Sequence, residues 1–158
     1  KKERVNDAVA ATKAALDEGI VPGGAIALLD IATRMKIDQK GSADEISGYQ
    51  IVKNALEAPF KKLIENAGFD PGQLIAKARS GAGAGQGFDV LNLESAETAT
   101  PTDMLKAGIV DPLKVVRVAV QNAISVATMI LTTEALITDL PEKTPPAPAG
   151  MPPGGMDY

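Results

Sequence analysis

The chain has no cysteine and no histidine. That excludes disulfides, thiolate or imidazole metal sites, and every Ser-His or Cys-His catalytic arrangement. Any chemistry must run on carboxylates, amines, hydroxyls and backbone. Tryptophan is also missing and aromatic residues make up 3%, which leaves almost no stacking platform for bases or sugars and makes the core aliphatic. Neither sign of charge dominates: 16 Lys and Arg against 20 Asp and Glu give a formal net charge of -4. Such a balance exerts no pull toward a nucleic-acid backbone or an anionic membrane, so neither is expected as a partner. Long uninterrupted apolar runs are lacking too. The most apolar stretch, VVRVAVQNAISVATMILTT, is broken by Arg117, Gln121, Asn122 and Ser125, whereas a membrane span wants about 18 or more residues nearly free of such groups. It predicts a buried helix of a soluble protein. The opening KKERVNDA carries no initiating Met and no secretory or transit pattern, and reads as the start of a fragment or processed piece.

What is present is one domain's worth of chain. At 158 residues and 45% apolar, it is long enough for one well-buried core and too short to argue for two. Helix punctuation divides it. The first helix runs to about Glu18 and stops at Gly19, which can take the left-handed cap conformation. IVPGG follows as a tight turn. AIALLDIATRMKI resumes helical spacing with Ile26, Leu29 and Met35 inward, then fades into the polar loop Asp38 to Gly41. Ser42 and Glu45 form a capping-box pattern that starts a third helix. Pro59 inside YQIVKNALEAPFKKLIENAG should kink or split it, and Gly68 closes it. DPGQLIAKARSG predicts a short helix with Asp70 as N-cap and Pro71 in the first position, ending at Gly81. GAGAGQGFDVLNLESAETATPTDMLKAGIV predicts a loop with a small β element at FDVLNL. DPLKVVRVAVQNAISVATMILTTE predicts the longest helix, with Asp111 as N-cap, Pro112 in the first turn and a place at the centre of the core. ALITDL is β-like. The final PEKTPPAPAGMPPGGMDY is too rich in Pro and Gly to order itself.

Four features carry candidate chemistry, each beside a plainer explanation. GAGAGQG matches neither common phosphate-loop spacing and reads as a flexible loop. PGG at Pro22 to Gly24 opens a helix whose free N–H groups suit an anion, or is an ordinary helix–helix turn. Asp111 is explained by capping. Asp7 is the hardest to explain locally. On a helical wheel Val5, Val9, Thr12 and Leu16 share one face within about 60°, and Asp7 points about 200° away, among Ala10, Ala11 and Ala14. A solvated helix face is the plainer reading, and its alanine surroundings offer no partner.

RVNDAVAATKAALDEGIVPGGAIALL, KNALEAPFKKLIENAGFDP, AGIVDPLKVVRVAVQNAISVATMILTTEALITDLP and the closing MPPGGM together resemble the C-terminal portion of group I chaperonins, the GroEL type. The resemblance runs through essentially the whole chain, in ungapped segments in the right order. It implies a mainly α fold: residues 1–18 as an intermediate-domain helix, 19–140 as the C-terminal half of the equatorial helical domain with a small β element and a C-terminal strand, and 141–158 as a disordered tail. It also implies site residues. Asp7 falls on the aspartate that orients the water attacking the γ-phosphate of ATP, Gly24 on the glycine packed against the nucleotide, and Asp111 on the aspartate that bonds the ribose hydroxyls. Asp89, Val90 and Leu91 fall where the family lines the adenine, although many members carry Asn-Ala-Ala there and the stretch from Phe88 to Asp111 is longer than usual. Ala25 stands where the family often has Gly.

The resemblance further implies ATP as cofactor with Mg2+, whose ligand lies in an N-terminal half not matched here, so no metal ligand is expected in this chain. It implies a protein-folding ATPase acting on unfolded polypeptide clients with a co-chaperonin, a homo-oligomeric double ring, and a cytoplasmic or organellar-matrix location. The fragment alone should hydrolyse ATP poorly or not at all, and should self-associate through faces the missing half would cover. A non-enzymatic helical oligomerisation module is the alternative.

Overall fold

The computed structural model describes residues 2–37, 40–80 and 83–139. It is mainly helical. The first helix, α1 (Lys2–Glu18), stops at Gly19, whose φ of 87° is open to a residue without Cβ. The next residues are not a simple turn. Ile20–Pro22 form a strand, β1, paired antiparallel with β4 (Val110–Pro112) in the register Ile20 to Pro112, Val21 to Asp111 and Pro22 to Val110. Sequence spacing missed this ladder because its two halves lie far apart in the chain.

Helix α2 (Ile26–Arg34) buries Ile26, Leu29 and Ala32, with Met35 half-buried at its C-cap. Helix α3 (Ala43–Asn66) begins with the expected capping box: Ser42 Oγ accepts from the Glu45 N–H at 3.3 Å, and Glu45 Oε2 accepts from the Ser42 N–H at 2.8 Å. Of the kink or split expected at Pro59, the split does not occur: α3 continues as one helix of 24 residues. A proline forfeits one hydrogen bond and crowds the preceding turn. Burial of Phe60 and Ile64 just beyond it offsets that cost. The helix ends at Gly68 (φ 86°), where the Phe69 N–H reaches back to the Ile64 carbonyl and the Gly68 N–H to that of Glu65, at 3.1 and 2.9 Å. Helix α4 (Pro71–Ser80) follows with Pro71 in its first position, as read.

The small β element exists but is displaced. Strands β2 (Gln86–Gly87) and β3 (Thr102–Asp103) pair antiparallel, and FDVLNL itself is a turn held by the Asp89 carboxylate, which accepts from the Leu91 N–H and the Asn92 amide. Asp and Asn favour such side-chain-closed turns over strand pairing. The core is one cluster of Ile26, Leu29, Phe60, Ile64, Leu74, Ile75, Phe88 and Met104, with the Phe60 and Phe88 rings tilted at a centroid distance of 6.4 Å.

Helix α5 (Leu113–Leu131) is neither the longest helix nor central: it has no buried residue. Its length and mean hydropathy of 1.3 would satisfy a membrane span on those grounds alone. Lys114 and Arg117, however, hold it to α1 through Asp17 and Glu18. Its N-cap is Pro112, with no side-chain capping bond, so Asp111 does not serve as the cap. Residues 135–139 of ALITDL form no strand, and its last residue lies outside the described residues together with 141–158 and the polar positions 38 and 39.

Candidate functional site

The β1–β4 ladder is what assembles the site. It sets Val21 opposite Asp111, and the Gly23 N–H extends it by donating to the Ile109 carbonyl at 2.9 Å. A Cβ on Gly23 would sit 3.0 Å from the Ile109 carbonyl carbon and oxygen. Only glycine allows the backbones this close. Gly24 follows with φ 65° and Ala25 with φ 61°, and α2 then starts at Ile26. The first turn of α2, with N–H groups that have no partner inside the helix, therefore opens beside the strand that carries Asp111.

Asp111 is half-buried, and that burial pushes its carboxyl above the ordinary value of 3.8. Freed from capping, the carboxyl is available to accept from a ligand hydroxyl.

A second segment meets the same turn. The Gly85 N–H donates to Asp30 on α2 at 2.7 Å, its carbonyl accepts from the Met104 N–H at 3.0 Å, and Pro22 Cγ lies 3.3 Å from where a Gly85 Cβ would be. Gly87 is pressed against Ile26 and the Met104 sulfur so closely that no side chain fits. These contacts place residues 85–88 against the start of α2, and Phe88 anchors the chain in the core. The following residues diverge in exposure. Asp89 is half-buried with both carboxylate oxygens engaged by its own turn, Val90 packs on the core edge, and Leu91 is 91% exposed. Asp30 had no distinguishing signal in the sequence beyond being an acid on the inward-reading helix. The Gly23 contact was hidden inside a motif read as a turn.

Asp7 lies on α1, exposed. At about 100° per residue it shares a stripe with Ala11, Ala14 and Glu18 to within about 40°, and those three are half-buried. The alanine face is thus the side of α1 that packs on the rest of the chain, while Val5, Val9 and Leu16 stay exposed. Glu18, on the same stripe, accepts from Arg117 Nε of α5 at 2.9 Å, and Lys114 Nζ reaches Asp17 at 2.7 Å. Asp7 sits about 16 Å further along that stripe at 1.5 Å per residue. Among the described residues no group of three or more acidic side chains is suited to a metal ion.

Residues 1–141 match the TCP-1/cpn60 chaperonin family. The chain belongs to that family. A solved structure of a group III chaperonin in the open state is similar, with a TM-score of 0.68 and 29% identity over 78% of this chain and 25% of that one. The chain thus spans about a quarter of that relative's length.

Proposed function

We propose that this chain is the C-terminal part of an ATP-dependent protein-folding chaperonin of group I, with residues 1–18 as the intermediate-domain helix and 19–140 in the equatorial domain. The observation that carries the reading is the β1–β4 ladder, which sets the glycine turn at the head of α2 beside the carboxyl of Asp111. ATP would supply the phosphoryl group for transfer to water. Gly24, whose missing Cβ leaves room for the Met104 methyl and whose left-handed φ turns the chain into α2, offers its backbone to the nucleotide, and Asp111 accepts from the ribose hydroxyls. Asp89, Val90 and Leu91 border the base, with Val90 contributing apolar contact and Asp89 mainly shaping the turn. Asp7 orients the attacking water once α1 closes on the site, a role of placement that phosphoryl transfer rewards. Its position on the packing stripe of α1 supports this. Gly19, at the end of α1, is the natural hinge.

Mg2+ ligands, client binding, the co-chaperonin contact and most of the double-ring interface would come from the rest of the parent polypeptide, in a cytoplasmic or organellar-matrix setting. Asp7→Ala in the complete chaperonin should leave ATP binding intact and slow hydrolysis at least about 100-fold, about 2.7 kcal/mol of barrier. Unchanged turnover would remove Asp7 from the mechanism. A second reading, a non-enzymatic oligomerisation module, draws on the exposed apolar residues of α5. It requires that ATP bind to neither the parent protein nor its Asp7 variant.

A further inference from the structure

A closed ring of hydrogen bonds passes through the glycine turn. The Asp30 carboxylate accepts from the Gly85 N–H at 2.7 Å, and the Gly85 carbonyl accepts from the Met104 N–H at 3.0 Å. The Met104 carbonyl in turn accepts from the Ile109 N–H at 2.9 Å, and the Ile109 carbonyl from the Gly23 N–H at 2.9 Å. Gly23 leads into α2, which carries Asp30, so the helix itself joins the two ends. Three of these four links run from backbone to backbone; the first alone depends on a side chain.

A carboxylate suits that first link. Its bond to an N–H is charge-assisted and stronger than a neutral one, and polar groups joined in a chain polarise one another. Gly85 and Met104 are buried and Asp30 is half-buried, so loss of the acceptor would leave the Gly85 N–H desolvated without a partner. Steric contacts carry position onward. Pro22 Cγ lies 3.3 Å from where a Gly85 Cβ would be, and the Met104 methyl 3.0 Å from where a Gly24 Cβ would be. A shift of Gly85 or Met104 therefore reaches Pro22 and Gly24, and a shift of Ile109 reaches the adjoining strand of Asp111. We infer that Asp30 is a positioning residue for nucleotide binding: acting through Gly85 rather than on the ligand, it closes the ring that holds the Gly23–Gly24 turn in register with Asp111. The inference rests on the nucleotide site proposed above.

In the complete chaperonin, Asp30→Ala should weaken equilibrium binding of a non-hydrolysable ATP analogue about 10-fold and raise KM for ATP by a similar factor. Turnover at saturation should stay within about 2-fold, because a preformed turn serves ground and transition states alike. Asp30→Asn keeps an acceptor oxygen and loses the charge, and should weaken binding about 3-fold. In the nucleotide-free protein, amide exchange at Gly23, Gly85, Met104 and Ile109 should quicken in the same order, most in the Ala variant and less in the Asn variant. An Asp30→Ala protein that exchanges faster there yet binds the analogue as the parent does would overturn the inference, leaving Asp30 a structural clasp. Unchanged exchange would overturn it too. Should Asp30→Ala fail to fold, Asp30→Asn decides, and parent-like affinity in that variant counts against the inference. Asp111→Ala separates the two levels. If it binds the analogue as the parent does, the nucleotide site is misplaced and the inference falls with it; if it loses affinity while the Asp30 variants do not, the inference alone falls.

Discussion

The α2–α3–α4 layer and the α1–α5 pair draw on similar aliphatic residues and reach opposite ends of burial. In the first, Ile26, Leu29, Phe60, Ile64 and Leu74 are at most 2% exposed. In the second no residue is buried, and Leu16, Ile130 and Leu131 are 82%, 60% and 84% exposed. An apolar helix at the surface of a small fold is costly when its uncovered patch exceeds a few hundred Å2. Between the two regions runs a groove of about 450 Å3 lined by Ile51, Leu56 and Pro59 of α3 and Ala119, Ala123 and Ala127 of α5. Hydrophobic patterning therefore marks α5 as a helix that would gain from a partner, without supplying one. On the proposed reading the partner is supplied by the rest of the chaperonin polypeptide and its ring neighbours, and the 158-residue chain alone should self-associate.

The comparison breaks most visibly under truncation of large side chains. Phe60→Ala removes a ring that is 1% exposed and tilted against Phe88, and should cost about 3–5 kcal/mol. Ile130→Ala on α5 should cost less than about 0.5 kcal/mol in the same chain, because 60% of Ile130 already faces water. Urea unfolding of both variants decides the matter. Equal losses would mean that α5 is packed in solution, by a second copy or by rearrangement.

What the sequence made legible was local. Ser42 and Glu45 announce a helix start because both partners of the capping box lie within one turn, and Gly19, Gly68 and Pro71 mark ends by what their own backbones allow or forbid. What failed was non-local. IVP looked like a turn because its strand partner, Val110–Pro112, sits at the other end of the chain, and Asp111 looked like a cap because pattern rules cannot see that ladder. Pro59 looked like a break because local propensity omits the burial of Phe60 and Ile64. The apolar breadth of α5 read as burial, although none of its residues is buried. For the site, the sequence offered Asp7 no local partner, and the structure leaves it exposed on α1. That its alanine neighbours are the packing face of α1 required the structure.

A smaller effect sits where the two regions join. Ala25 is the one non-glycine residue with positive φ among the described residues, at 61°, and the left-handed conformation costs an L-residue about 1–2 kcal/mol. The strain persists because Ile26 and Leu29, just beyond it, are locked in the core. Ala25→Gly relieves it at some cost in unfolded-chain entropy, so the net gain should be about 0.5–1 kcal/mol, visible as a raised urea midpoint with unchanged slope. A loss of stability would show that the turn relaxes in solution. That would blur the boundary between the rigid layer and the α1–α5 pair.

The smallest effect lies in the clasp between α1 and α5. The hydrogen bond from Arg117 holds the Glu18 carboxyl below its ordinary 4.5, whereas burial moves Asp111 the other way. A lowered carboxyl stabilises the fold above the unfolded value and gives that contribution up as pH falls through the lowered one. The clasp should thus be complete at neutral pH and open only below about pH 4.5. Asp111 has the opposite sign: its contribution favours folding when protonated and turns unfavourable as pH rises past 3.8. In a carboxyl NMR titration of the 158-residue chain, Arg117→Gln should return Glu18 to the ordinary range and leave Asp111 raised. If Glu18 titrates normally in the parent chain, α1 is not held against α5 in solution, and the placement proposed for Asp7 loses its anchor.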